Sequence, residues 1–279
     1  MSDDTGYGAD LHEGHRDLAQ AIGLLEDALP RIENPIGVSL ALFDMYTDLE
    51  DMAQAGACLI EAARRVSLGK QSELTYFLYS HLELFAQLNA EAQNVYERLS
   101  SIIARDEGDL GKNTLHLDQR KIYQYDLIPE LLLAQHLMRA RQVSEAEYHI
   151  LLHDLCHYTT KAQTAPRTVL HILDQRELPH RDGVIEFLAH DSGVPFIDLA
   201  LFRPEEDVMD LLHLEFIQVR AACAFGHIAG EPMVAVLNPY NLQLRDDVGL
   251  LVQRPTHYYL GSAKGYQRML DAIRKHQRG

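Results

Sequence analysis

A 34-residue recurrence constrains this chain more than any other feature: Ala21, Leu25 and Ala28 return as Ala55, Leu59 and Ala62. Within each trio the spacing is three and four residues, which lines one face of a helix. Small residues at fixed points let paired helices approach closely, and the larger residue between them fills the gap. A looser third copy follows. Its first helix carries Leu78, Leu82 and Phe85, displaced by 36 from Leu42, Tyr46 and Leu49, and its second carries Ala92, Tyr96 and Leu99. Helix stops are expected at Pro30, Pro35 and Gly69. The recurrence thus predicts stacked helix pairs over residues 15–105, after a Gly- and Asp-rich leader at 1–14 that shows no periodicity.

Thirty-four is the period of a tetratricopeptide unit, and this segment resembles such an array. The best copy runs from Ile36 to Gly69, with Leu42, Tyr46, Leu49, Ala55, Leu59 and Ala62 at family-typical positions. It departs from the family at the usual Gly of the first helix, which is Phe43 here. A plain helical bundle with an accidental period is the competing reading.

Residues 106–126 turn polar and irregular, with Gly108, Gly111 and Asn113, and read as a linker. Gly111-Lys112-Asn113-Thr114 looks like the end of a phosphate-binding loop. However, the Gly required five residues before Gly111 is Asp106, and Asn113 stands where Ser or Thr would reach magnesium. No other GxxxxGK[ST] string occurs in the sequence. No GxSxG elbow is present either, so the expectation is a protein that is not an enzyme and needs no cofactor.

Over 127–192 two helix-turn-helix units follow each other 36 residues apart, with Leu137 matching Leu173, Tyr148 matching Val184 and Leu152 matching Leu188. Ser144 before Glu145, Ala146 and Glu147 is a sensible N-cap with first-turn acids. Over 193–279 the pattern changes. Gly193-Val-Pro-Phe-Ile-Asp-Leu199 precedes a short helical stretch through Val208, Leu211 and Leu212. Phe216 to Phe225 reads as a strand and Gly226 to Gly230 as a turn. Met233 to Leu237 reads as a second strand and His257 to Leu260 as a third. Helices are expected near Leu242 to Leu251 and from Ala263 to His276. The fold class is mainly α with a C-terminal α+β part: a helical repeat array, tandem helix-turn-helix units, and a small α/β subdomain.

The Gly193 to Leu199 string, the Val208 to Leu212 helix, the strand ending Val234-Ala-Val-Leu-Asn-Pro239, and Tyr258-Tyr-Leu260 before a terminal helix form an ordered set. Together they resemble the N-terminal domain of bacterial type II secretion and type IV pilus assembly ATPases. The resemblance spans about residues 127–276 and implies a bacterial secretion or pilus context, without the ATPase motor, whose phosphate loop the sequence lacks. Some members of that family bind cyclic di-GMP through two tandem motifs that start Arg-Leu-Gly, carry a later Gly and close on Gln. Here the starts read Leu132-Leu133-Ala134 and Thr168-Val169-Leu170, the later Gly positions are Arg141 and Glu177, and the closing positions are Leu155 and Asp191. The resemblance therefore implies a degenerate ligand site, for which Arg139, Arg141 and Arg167 are the least poor candidates.

His149, His153 and His157 stand at i, i+4 and i+8, so one helix face would present three imidazoles, a candidate metal site. No Glu completes an HExxH arrangement, and a solvated polar face is the simpler reading. Cys58, Cys156 and Cys223 lack CxxC spacing, which fits a reducing compartment. The net charge of −16, from 41 acidic against 25 basic residues, would repel a phosphate backbone and disfavours nucleic acid. Lys264, Arg268, Arg274, Lys275 and Arg278 read as the solvated face of a final helix. No basic-then-apolar signal opens the sequence and no apolar segment is long enough to span a bilayer, so direct membrane insertion is not expected. These readings converge on a non-catalytic adaptor or regulator that works through a protein partner, with self-association left open. The expected place is the cytoplasm, at the inner membrane only through that partner. A cyclic dinucleotide sensor is the alternative.

Overall fold

The computed structural model describes residues 6–66, 72–87, 89–106, 117–157, 167–178 and 180–276. The chain divides into two compact units, residues 1–124 with 152–162, and residues 125–151 with 163–279. It is mainly helical, with a small three-stranded sheet near the C-terminus.

In the first unit α1 (Gly6–Ala28), α2 (Ile36–Asp48), α3 (Met52–Arg65), α4 (Ser72–Ala86) and α5 (Ala90–Asp106) follow in order. The leader expected over 1–14 is helical from Gly6: the run of turn-forming residues is absorbed into the first turns of a long helix. A 3-10 turn at Leu29–Arg31, with Pro30 inside it, ends α1 where the sequence predicted. Ala21, Leu25, Ala28, Ala55, Leu59, Ala62, Leu78, Leu82, Ala92 and Leu99 are buried, with Leu49 and Tyr96 half-buried, so the recurrence marks the core of the unit. A Cβ on Gly56 of α3 would lie 2.7 Å from Phe85 of α4, which shows how closely these two helices approach. Phe43, in place of the repeat family's Gly, is buried and set edge-on to the His81 ring at 5.8 Å. Asp51 caps α3 by accepting from the Gln54 N–H, and Asn89 caps α5 by accepting from Glu91.

α6 (Leu117–Arg139) is long and contains Pro129, which leaves the Tyr125 carbonyl without its helical donor. The irregular stretch expected over 106–126 is thus helical at both ends, since α5 runs to Asp106 and α6 starts at Leu117; Gly111 to Thr114 lie outside the described residues. α7 (Glu145–Leu155), α8 (Val169–Gln175) and α9 (Arg181–Ser192) complete the tandem helical pairs. α9 stops at Gly193, whose φ of 68° is the left-handed conformation a helix C-terminus favours.

Beyond it come a 3-10 turn at Leu199–Leu201, α10 (Glu206–Met209), α11 (Leu214–Arg220), β1 (Ala222–Ile228), β2 (Glu231–Val236), α12 (Leu242–Val252), β3 (His257–Leu260) and α13 (Ala263–His276). The strand expected from Phe216 is helix as far as Arg220. Ile217 is the buried residue of that helix, and left-handed Ala221 (φ 53°) then redirects the chain into β1. The strand continues through Gly226, and the turn is only Ala229-Gly230, both at positive φ, as a two-residue hairpin requires. β2 lies between antiparallel β1 and parallel β3, with α12 making the crossover. The Pro195–Ile197 segment pairs along β3 through Leu260.

α13 carries Tyr266, Met269, Leu270 and Ile273 into this core, and the Tyr266 hydroxyl donates to the Ile217 carbonyl at 2.6 Å. One buried carboxylate ties the helical pairs to the segment that follows β2. Glu130 of α6, 2% exposed, accepts from the Val169 N–H at 2.6 Å and from the Asn238 amide at 3.0 Å. It thereby sits at the N-terminus of α8, where negative charge is favoured.

Candidate functional site

The two helix corners of the second unit repeat each other in backbone conformation. After α6, Arg141 has φ 58°, its N–H donates to Met138, and Gln142 donates back to Leu137. After α8, Glu177 has φ 51°, its N–H donates to Asp174, and Leu178 donates back to Leu173. Both corners are Schellman motifs in the same register, and the buried Leu137 and Leu173 occupy equivalent positions. Arg141 and Glu177 are the positions that the sequence resemblance sets against the later Gly of the ligand-binding motif. The chain keeps the left-handed turn there while filling it with side chains that disfavour it. The following helices begin differently. Ser144 and Glu147 form a reciprocal capping box, with the Ser144 N–H donating to Glu147 at 2.7 Å and the Glu147 N–H to Ser144 Oγ at 3.3 Å. The Ser144 N–H, and then the Ser144 hydroxyl, which donates to the same carboxylate at 2.7 Å, hold the Glu147 carboxyl below its usual range. His180 at the start of α9 makes no side-chain cap.

Five of the six motif-start positions are part of the core, and Leu132 is half-buried. Leu133, Ala134, Thr168, Val169 and Leu170 are all buried, and Thr168 Oγ1 is the N-cap of α8, accepting from the His171 N–H at 3.3 Å. Of the candidate arginines, Arg139 and Arg141 are exposed at the first corner, whereas Arg167 is partly buried immediately before Thr168. The closing positions also diverge. Leu155 is buried, while Asp191 joins a surface clasp, accepting from the Tyr240 hydroxyl and lying 3.0 Å from His136 Nε2. The His136 and Tyr240 rings are 5.1 Å apart and edge-on. The Tyr240 hydroxyl, and then His136, hold the Asp191 carboxyl below its usual range. Burial and the same carboxylate push the Tyr240 hydroxyl upward, so it stays a hydrogen-bond donor. The clasp can orient α9 against the loop after β2; it offers no activated nucleophile.

The histidine stripe is shorter than its spacing predicts. α7 ends at Leu155, so His157 lies beyond the helix, its N–H turned back to Asp154 at 3.3 Å. His153 Nδ1 is engaged by Asp154 at 2.9 Å. Cys58 and Cys223 are poor nucleophiles, because burial pushes the Cys58 thiol up to about 11 and raises Cys223 as well. Among the described residues, the group whose ligand atoms lie within reach of one metal ion is Glu205, Asp207 and His227. Sequence reasoning missed it: Glu205 and His227 are 22 residues apart and come together only when β1 turns back past α10.

The α/β part carries a specific likeness. Residues 192–279 match the family model of the MshEN domain. That domain is the N-terminal domain of type II secretion and pilus ATPases, and the helical region before it is consistent with the same architecture. The match covers the sheet, α10 to α13 and the Gly193 to Leu199 string, where the sequence resemblance rests. An MshEN domain suggests a protein of a secretion or pilus system. No curated protein matches the chain. Among the described residues, no helix is long and apolar enough to cross a membrane.

Proposed function

We propose that the protein is a non-catalytic adaptor of a secretion or pilus-type assembly, in which the MshEN domain docks on a component of that machinery and the helical array of the first unit engages a second protein. One observation carries this reading over ligand sensing: the positions that the resemblance sets against the motif's Arg are Leu132 and Thr168, those set against its first Gly are Ala134 and Leu170, and of these Ala134, Thr168 and Leu170 are buried. A frame without Arg at these positions favours protein contact over a charged dinucleotide, whose phosphates need Arg pairing and close backbone approach. The array adds helix faces of the kind that tetratricopeptide-type repeats use for peptide and protein contacts.

The test uses the full chain as bait, followed by titration against the purified secretion or pilus ATPase, or platform component, that is recovered. Saturable binding to such a component supports the adaptor. Recovery only of unrelated metabolic enzymes counts against it. Titration with cyclic di-GMP addresses the second reading, which the preserved left-handed corners at Arg141 and Glu177 favour. Binding that disappears on changing Arg139 and Arg141 together to Ala would replace the adaptor by a sensor.

A further inference from the structure

We infer that Glu205, Asp207 and His227 form a binding site for a divalent transition cation, with Zn2+ as the best match, that fastens the start of α10 to the β1–β2 hairpin. Two separate parts of the chain supply the ligands. Glu205 is the N-cap of α10 and Asp207 lies in its first turn, while His227 lies near the end of β1. His227 Nδ1 is 3.1 Å from Glu205 Oε2 and 3.5 Å from Asp207 Oδ2, and one ligand atom from each residue lies within 4.8 Å of the other two. Ligands about 2.0 to 2.2 Å from a tetrahedral ion stand roughly 3.3 to 3.6 Å apart, so the two separations from His227 lie close to that spacing, and the exposed carboxylates can adjust to close on a cation.

The local fold gives this arrangement a cause beyond chance proximity of surface charges. The β1–β2 register shifts between Ala224 and Gly226, a bulge that resets the strand ahead of His227. At Gly226 any Cβ would stand 3.3 Å from Glu205 Oε1 and 3.0 Å from Met233 Cε, so glycine leaves the space that the carboxylate occupies beside the strand. His227 is largely covered (19% exposed), whereas Glu205 and Asp207 are open at 53% and 70%. The ring is therefore held in place while the carboxylates face solvent, where a cation can enter and retain water. In a chain of net charge −16, two adjacent carboxylates repel each other, and a dication relieves that repulsion. An imidazole nitrogen with two carboxylate oxygens suits Zn2+ or Mn2+ better than the all-oxygen ions Ca2+ and Mg2+, and of the first two Zn2+ binds such a set more tightly.

The experiment is a calorimetric titration of the full chain, freed of metal by chelator and dialysed, with zinc chloride at neutral pH, beside thermal unfolding with and without the ion. One equivalent should bind saturably and raise the unfolding midpoint. His227→Ala and Asp207→Asn should each weaken binding by about tenfold or more while leaving the metal-free midpoint and far-ultraviolet dichroism unchanged. A combined His149→Ala, His153→Ala and His157→Ala variant should bind as the parent does. The inference is overturned if no saturable heat appears, if Zn2+ binds equally well after both site changes, or if the combined histidine variant removes the binding. Asp207→Asn at an exposed position keeps the test decisive should His227→Ala fail to fold.

Discussion

The Asn238 side-chain amide donates to Glu130 Oε1 at 3.0 Å, joining two residues 108 positions apart in the chain. The other carboxylate oxygen of Glu130 accepts from the first N–H of α8, and the Asn238 amide also donates to the Pro129 carbonyl. Asn238 Oδ1 in turn accepts from the Tyr240 N–H. A buried carboxylate is tolerated only when its lone pairs are engaged, and here both oxygens are.

Glu130→Ala should therefore cost about 2 to 4 kcal/mol, since it strands the Val169 N–H and the Asn238 amide together. Asn238→Ala should cost less, about 1 to 2 kcal/mol, because Glu130 keeps the α8 N-terminus as a partner. Urea denaturation of the two variants checks the order, which reverses if Asn238 rather than Glu130 is the centre of the network.

His171 predicts a pH dependence of stability. Burial pushes its imidazole down to about 4 from the ordinary 6.5, against a smaller opposing pull from Asp174. Thr168 Oγ1 lies 2.9 Å from Nδ1, and the Tyr266 ring stands edge-on at 6.2 Å. The folded pKa lies below the unfolded one, so the unfolded state binds the proton more readily. Stability is full above about pH 6.5 and falls as the pH drops towards 4, by about 3 kcal/mol in all. The carboxylates of Glu147 and Asp191, held low in the fold, lose their contribution only at more acidic pH. Urea midpoints measured between pH 7 and 4 should slope downward in the parent protein and flatten in His171→Gln.

Much of the helical layout was legible because burial imposes a period: the Ala-Leu-Ala trios, the 36-residue offset and the α13 boundaries each follow from which residues must face a core. Phe216 to Phe225 was not legible, since a seven-residue helix ended by a left-handed alanine leaves the same apolar run as a strand. The extension of α1 into the Gly-rich start was hidden for a related reason, as glycine weakens a helix without forbidding it. The candidate arginines were readable only as positions in a motif, and their exposure depends on packing that a single sequence does not carry. Glu205, Asp207 and His227 left no local pattern, because a strand bulge and a hairpin bring them together.

The left-handed corners make a prediction of opposite sign to most substitutions. Arg141 and Glu177 hold φ values of 58° and 51°, which cost a side-chain-bearing residue about 1 kcal/mol relative to Gly. Arg141→Gly and Glu177→Gly should each stabilise the protein by about 0.5 to 1 kcal/mol, and Arg141→Val should destabilise it by more, since β-branching disfavours that conformation further. Thermal midpoints measured side by side decide the matter. A loss of stability in both glycine variants would mean that the two side chains make contacts outweighing the backbone strain.

Gly265 shows where α13 meets the Gly193 to Leu199 string of the MshEN match. A Cβ at this position would stand 3.1 Å from the Leu199 Cβ, and the Gly265 N–H already donates to Ser262 Oγ at 3.1 Å as the helix begins. Leu199 is buried, and at Gly261 a Cβ would likewise crowd it, at 3.0 Å from Leu199 Cδ1. The turn at Leu199 thus lies between two glycines, and a methyl group on either side must displace it. Gly265→Ala gains helix propensity of about 1 kcal/mol, yet overpacking a closed core costs about 1 to 3 kcal/mol, so the net effect should be destabilising. The discriminating control is Lys264→Ala, one residue earlier and exposed, which should leave the denaturation midpoint within about 0.5 kcal/mol of the parent. If Gly265→Ala instead matches that control, the helix can withdraw from Leu199, and the close approach is not what fixes α13 on the domain.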